Sequence, residues 1–260
     1  MAYTPYSRYR TAPYKPGQTT PYKLSRSKIE DFINCPRCFW IDRRLKISKP
    51  DTPPFQINKA VDELFKKEFD KYRNDKKPHP LMIQFKVDAI PYSHDDLDKW
   101  RENFVGVQYL DKETNLILFG AVDDVWVNKN GELIVVDYKA TAKKSEVSLD
   151  ADWQISYKRQ MEVYQWLLRK NDFKVSNTGY FVYTNGRLDL DGFNDRVEFR
   201  TKVIAYEGND SWIAETVKNI KECLEQEDMP PSGRDCQYCE YAKSRTDLTL
   251  KYLIKNKKVK

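Results

Sequence analysis

No stretch of this 260-residue chain reaches 18 consecutive apolar residues, and no apolar segment follows a basic start. The first absence excludes a membrane-spanning helix and the second a secretory signal, so a cytoplasmic protein is expected. Histidine is scarce, at two residues, and cysteine at five. Both histidines, His79 and His94, lie in polar, proline-containing stretches that suit loops rather than a metal-binding helix. No internal repeat is present, which excludes solenoids and propellers. A chain of this length buries a core without covalent staples, so cysteine is not needed in place of one. In a reducing compartment two C-x-x-C pairs read as metal or redox ligands before they read as disulfides.

Net positive charge is missing from the body of the chain. The formal net charge is +6, yet residues 1–23 carry +4 and residues 243–260 carry +6, leaving −4 between them. This surplus supports loose attraction to phosphate and does not define a binding groove. Residues 1–23, rich in Tyr, Pro and Thr with no apolar period, read as a disordered leader, and 246–260 as a basic tail. Order is expected over 24–245.

Within that span the apolar period changes. Ser27 three before Glu30 suggests a capping box ahead of Ile29, Phe32 and Ile33, and Pro36 breaks or restarts that helix. Ile57, Val61, Leu64, Phe65 and Phe69 recur at helical spacing. From Phe104, "FVGVQYLD", "NLILFGAVDDVWV" and "GELIVVDYKAT" are β-branched and aromatic runs parted by turn residues, and predict strands. "WQISYKRQMEVYQWLLRK" predicts a helix with Ile155, Tyr157, Met161, Tyr164, Leu167 and Leu168 on its apolar side. "TGYFVYTNGRLDL" is a further strand and turn, and "SWIAETVKNIKECLEQ" a last helix ended by Pro230 and Pro231. The order is that of a mixed α/β domain.

The chemistry concentrates in "GAVDDVWVNKNGELIVVDYKA". A three-residue loop with Gly131 left-handed sets Asn128 opposite Glu132 and Asp123 opposite Asp137. A two-residue Asn130-Gly131 turn sets Asp124 opposite Asp137 instead, because a one-residue slip reverses the face. In either register an acid faces an acid, which costs stability unless positive charge lies between them. A divalent cation meets that need, and Lys139, two residues beyond Asp137, projects to the same face. Two carboxylates and an ammonium suit an oxygen-loving ion such as magnesium and make up the parts of phosphodiester hydrolysis. Taken alone, Asp-x-Lys reads better as an exposed salt bridge.

Gly120-x-x-Asp123, Asp137-Tyr138-Lys139 and Gln160-x-x-x-Tyr164 together resemble the motif series of the PD-(D/E)XK nuclease superfamily, in particular the RecB-type branch that includes the CRISPR-associated exonucleases. The resemblance runs from about Leu24 to Tyr241. It implies a restriction-endonuclease-like α/β core, a mixed central sheet flanked by helices. It implies that Asp123 and Asp137 bind magnesium or manganese, that Lys139 assists attack by water, and that Gln160 and Tyr164 line the site. Their spacing of four independently puts these two on one helix face. Members of that branch usually carry a metal-binding histidine on a helix before the first strand. Here Asp62, in "NKAVDEL", stands at that place, either as an oxygen ligand compatible with magnesium or manganese or as a solvated helix residue.

Several members of that branch hold an iron-sulfur cluster through one cysteine in a leading "CPR" helix and three near the C-terminus. This chain has Cys35 and Cys38 in "CPRCFW" but only Cys236 and Cys239 at its end. Four thiolates in two pairs suit a four-iron cluster or a zinc ion equally. The resemblance favours iron-sulfur, and the two-plus-two arrangement keeps zinc open. Either metal would make the quartet a clasp joining the N- and C-terminal segments, with Cys223 a buried thiol in the last helix.

The resulting expectation is a Mg/Mn-dependent DNA exonuclease acting on single strands or duplex ends in repair, recombination or defence, alongside a helicase or a repair or defence complex. Tyr22, Phe39, Trp40 and Trp153 offer faces for stacking on bases, although core packing accounts for most of them more simply. The alternatives are a nucleic-acid-binding or assembly module that has lost cleavage, and a zinc-stabilised interaction domain with no nucleic-acid role.

Overall fold

The computed structural model describes residues 12–50 and 56–257. Strand β1 (Tyr22–Ser25) leads into helices α1 (Arg26–Asn34), α2 (Pro36–Leu45) and the long α3 (Gln56–Asp75). Helix α4 (Pro80–Gln84), strand β2 (Ala89–Pro91) and helix α5 (Leu97–Arg101) precede four strands. These are β3 (Val107–Asp111), β4 (Leu116–Gly120), β5 (Asp124–Asn128) and β6 (Leu133–Thr141). Helix α6 (Ile155–Lys170), strands β7 (Thr178–Gly186) and β8 (Phe199–Glu207), and helices α7 (Ile213–Glu225) and α8 (Gln237–Lys257) follow. No helix among the described residues is long and apolar enough to cross a membrane.

The strands form a five-stranded sheet in the order β2-β5-β6-β7-β8 and a smaller sheet β1-β4-β3. The larger sheet is mixed because β6 and β7 run parallel while its other pairs are antiparallel. A parallel pair needs a crossover, and α6 supplies it. Strand β6 is buried from Leu133 through Tyr138, as its near-continuous apolar run requires of a strand covered on both faces. Leu133 and Val135 meet Met161, Tyr164, Leu167 and Leu168 of α6 in one core. Ile134, Val136 and Tyr138 meet Phe69 of α3 and Trp126 in a second core on the other face. Strand alternation therefore sends Asp137 and Lys139 to the α6 face and Tyr138 to the α3 face. This is the mixed α/β plan expected from the sequence, with helices on both sides of the sheet.

Several local expectations are corrected. Residues 12–23 are no disordered leader: Tyr14 is buried with its hydroxyl on Glu225 of α7, and Gly17 N–H donates to the same carboxylate at 2.8 Å. Tyr22 opens β1, which pairs parallel with β4. Single aromatic anchors and one four-residue strand leave no periodic signal. Residues 1–11 of the proposed leader and 258–260 of the proposed tail lie outside the described residues, whereas 246–257 continue α8. Helix α1 begins after Ser25, no side-chain cap bond forms, and Glu30 turns instead to Arg159 of α6 at 2.6 and 2.9 Å. On α3, Ile57 and Leu64 are exposed, while Phe65, Phe69 and the buried Arg73 carry the inward face. Strand β8 escaped the apolar pattern because it is an edge strand with mostly half-exposed or exposed side chains. Tyr22, Phe39 and Trp40 belong to the core, which leaves the exposed Trp153 as the one stacking candidate of the four.

Candidate active site

The β5–β6 hairpin closes through the three-residue loop. Gly131 takes the left-handed conformation at φ 73°, and Asn128 N–H donates to the Glu132 carbonyl at 3.1 Å. The Asn128 side chain clamps the turn by accepting the N–H groups of Asn130 and Glu132 at 2.9 and 3.0 Å. Asp124 then pairs with Val136, which carries Asp123 to the position opposite Asp137. The carboxylate of Asp123 crosses to β6 and accepts the Tyr138 N–H at 2.8 Å.

Register sends the two adjacent aspartates to opposite faces of the sheet. Asp124 points to the α3 face and is fully buried, ion-paired with Arg73 and, at 2.8 Å, with Arg101. It also accepts the Tyr138 hydroxyl at 2.8 Å. Asp70 joins both arginines from α3, so Asp124 is a structural anion whose charge is matched. Asp123 and Asp137 lie on the other face without such matching. The Asp137 carboxylate is fully buried and ion-pairs with Lys139 through Oδ2, while its Oδ1 has no hydrogen-bond partner. Burial, and after it the charge of Asp137, push Asp123 up to about 6 despite Lys139, the Tyr138 N–H and Lys66. Burial works against the charge on Lys139, but Asp137 and Asp123 outweigh it and hold the ammonium above its ordinary value.

Helix α6 walls the same face. Gln160 presents its carbonyl oxygen to the Lys139 ammonium at 3.5 Å and donates its amide to the Tyr164 hydroxyl at 3.0 Å. The Tyr157 ring lies beneath the ammonium, 4.6 Å from its centroid. Gly120, at the end of β4, admits the Tyr164 ring: a Cβ there would lie 2.5 Å from Tyr164 Cε1. The five residues Asp123, Asp137, Lys139, Gln160 and Tyr164 are thus brought to one place.

Asp62 faces this cluster from α3. One of its oxygens pairs with Lys66 at 2.7 Å and the other is buried without a hydrogen bond. Burial raises its pKa, and the charge of Asp123 adds to the effect. The three carboxylates nevertheless stand wider apart than the cysteines, the one set of potential ligands among the described residues whose atoms all lie within 4.8 Å of one another. One oxygen without a partner on each of Asp137 and Asp62, beside a carboxyl raised by burial and then by its neighbour's charge, is the signature a divalent cation would satisfy. The donor set is all oxygen and fits magnesium or manganese. Neither histidine takes part: His79 is buried against Phe69 and bonds Glu68 at 2.9 Å, and His94 stacks on Trp100. Sequence reasoning missed Tyr157 as the floor under Lys139 and the Glu30–Arg159 pair that ties α1 to α6, since both occupy ordinary helical positions.

The four cysteines meet in one cluster, of which Cys38 lines a cleft of 860 Å³ that also reaches Gly120 and Tyr164. Cys35 caps α2 ahead of Pro36, and its sulfur accepts the N–H groups of Cys38 and Gly233 at 3.4 and 3.1 Å. These donors, together with the Cys236 and Cys38 thiols, outweigh the upward push of burial and lower the Cys35 thiol to about 7. Gly233 is required there, because a Cβ would lie 2.1 Å from the Asn34 carbonyl oxygen. Arg44 bonds the Leu224 and Gln226 carbonyls at 2.7 and 2.8 Å, and so binds α2 to the C-terminus of α7. Cys223 is buried in α7 away from the quartet, and burial pushes its thiol up to about 11.

A mixed sheet carrying two carboxylates and a lysine on one strand face, walled by a Gln-x-x-x-Tyr helix, defines a restriction-endonuclease-like fold. The chain belongs to the PD-(D/E)XK nuclease superfamily, whose family model matches residues 53–244. That span contains Cys236 and Cys239 and leaves Cys35 and Cys38 outside it. No curated protein matches the chain. Among solved structures, the one described as "Crystal structure of SSO0001" is 16% identical, with 85% of this chain and 84% of that one covered. Its TM-score is 0.38.

Proposed function

We propose that this protein is a magnesium- or manganese-dependent deoxyribonuclease of the RecB type, an exonuclease on single strands or duplex ends that serves DNA repair, recombination or defence in the cytoplasm. The observation that carries the proposal is the buried Asp137 carboxylate, paired with Lys139 at one oxygen, without a partner at the other, and opposite Asp123. A divalent ion held by Asp123 and Asp137, with Asp62 as a further candidate ligand, would polarise the scissile phosphate and acidify a water. Lys139 stays protonated between the two acids, so it holds the attacking water or a phosphate oxygen as a cation rather than abstracting a proton. Gln160 and the Tyr157 ring fix that ammonium, and Tyr164 fixes Gln160.

The cleft supports a nucleic-acid substrate. Its walls carry Lys23, Arg26, Lys28, Arg43 and Lys49 against Asp31 and Asp42, a surplus of cations that suits a phosphate backbone. Phe104 and Tyr238 add exposed aromatic surface along it. Trp153, 60% exposed and edge-on to Tyr157 at 5.3 Å, offers a stacking face close to Lys139.

The test is digestion of single strands labelled at either end, blunt duplexes and single-stranded circles, each in magnesium, manganese and chelator. Metal-dependent shortening of the linear substrates with circles spared is expected. DNA retained without cutting would replace the proposal by a binding module, and no salt-dependent retention would replace it by an interaction domain.

A further inference from the structure

We infer that the four cysteines hold one tetrahedral zinc ion rather than a four-iron cluster. The Cys38 sulfur lies 3.5 Å from those of both Cys236 and Cys239, and the Cys35 sulfur 3.7 Å from that of Cys239. All four sulfurs fall within 4.8 Å of one another. Four thiolates bound at about 2.3 Å to one tetrahedral ion sit about 3.8 Å apart, the spacing found here. In a four-iron cluster each thiolate binds a different iron, so the sulfurs stand at the outer corners of a cube of irons and sulfides. Sulfurs already near contact leave no room for that cube. They are also far from the roughly 2 Å of a disulfide, and Cys38 has two equal neighbours, which no single disulfide explains.

The surroundings fit a closed anionic site. Cys35 sits at the N-terminus of α2 and Cys236 immediately precedes α8, so the positive ends of two helices meet the thiolates. The Gly233 and Cys38 N–H groups add hydrogen bonds to the Cys35 sulfur. Tetrahedral all-thiolate sets select zinc or iron, and a closed set with no open position is that of a structural zinc. Cys35 and Cys239 are 204 residues apart in sequence, so one ion closes most of the chain into a loop and adds its binding free energy to folding. The assignment concerns the clasp alone. A protein that cuts DNA while carrying an iron-sulfur cluster would overturn it and leave the proposed activity standing.

The experiment is metal and sulfide analysis of the full chain, purified anaerobically from cells supplied with both iron and zinc. About one zinc per chain and no acid-labile sulfide are expected. Cobalt exchanged into the same sample should give the intense visible bands of a tetrahedral thiolate site. About four irons with matching sulfide, one iron alone, or no metal would each overturn the inference. Single Cys→Ser variants at 35, 38, 236 and 239 should lose at least about tenfold in bound zinc, whereas Cys223→Ser should lose none. Should the serine variants fail to fold, Cys239→His decides, because it preserves a zinc ligand set and should keep near-stoichiometric zinc with shifted cobalt bands. Loss of zinc from a folded Cys239→His protein would count against the site.

Discussion

Gly120→Ala tests whether the motif glycine serves the site by admitting Tyr164. Gly120 lies outside the left-handed region, so alanine brings no backbone penalty and the effect is steric. The added methyl would lie 2.5 and 3.0 Å from Tyr164 Cε1 and Cδ1 and 3.4 Å from Arg26 Cβ. Comfortable carbon contacts fall near 3.5 to 4.0 Å, so the ring must recede by about 1 Å. Tyr164 is buried on α6 in one core with Met161, Leu167 and Leu168 and borders the cleft, so the ring recedes only by displacing those neighbours or by turning into the cleft and away from Gln160. Overpacking of this kind costs about 1 to 3 kcal/mol. Moving the ring also breaks the Gln160–Tyr164 hydrogen bond and frees the group that holds Lys139, a displacement able to cost up to about a hundredfold in rate. Urea denaturation should show a lower midpoint with an unchanged slope, and DNA cleavage should fall beyond what the unfolded fraction explains. Tyr164→Leu removes the ring, so the double variant should be more stable than the two single costs added together. Parental stability and parental cleavage in Gly120→Ala would refute the reasoning.

The adjacent aspartates should respond in opposite directions. Asp123 is raised from its unfolded value to about 6, so its contribution to stability is present below about pH 4 and is lost as pH rises through 6. In chelator, parent stability should therefore drop by at most about 3 kcal/mol over that window relative to Asp123→Asn, whose curve lacks the drop. Asp124→Asn leaves Asp70 as the one carboxylate against two buried arginines and should cost about 3 to 5 kcal/mol at neutral pH, read from thermal or urea melts; a cost below 1 kcal/mol would count against a matched buried network. Trp153→Ala should weaken single-strand binding by about 1 to 3 kcal/mol in anisotropy titrations while leaving the melting temperature in place; unaltered binding would remove Trp153 from the substrate path.

The site was legible where chemistry is local. The hairpin's residues allowed two registers, and the family resemblance selected the one with Asp123 opposite Asp137; the three-residue loop with Gly131 left-handed takes that register and sends Asp124 to the other face. The i, i+4 spacing likewise places Gln160 with Tyr164. What sequence could not give is distance between elements. Arg73 reaches Asp124 from 51 residues away, and nothing in a helical pattern marks it as an inward ion. Asp62 lay near a predicted stripe, but its separation from the two strand acids depends on how α3 seats Phe65 and Phe69 against Tyr138. Strand β8 and residues 12–23 gain their order from tertiary partners, an edge pairing and the Tyr14–Glu225 bond, and carry little periodic signal of their own.

The central claim is that the buried carboxylate on β6, held by Lys139 at one oxygen only, belongs to a metal-dependent cutting site, and Asp137→Asn addresses it most directly. The measurement is magnesium-dependent cleavage of end-labelled single-stranded DNA by parent and variant side by side, with circular dichroism confirming that both are folded. Losing a charge that stabilises the transition state through the cation removes about 4 kcal/mol, so a fall of about a thousandfold is expected in the variant, and chelator should silence the parent. A folded Asp137→Asn protein that cuts at the parental rate in magnesium would contradict the account.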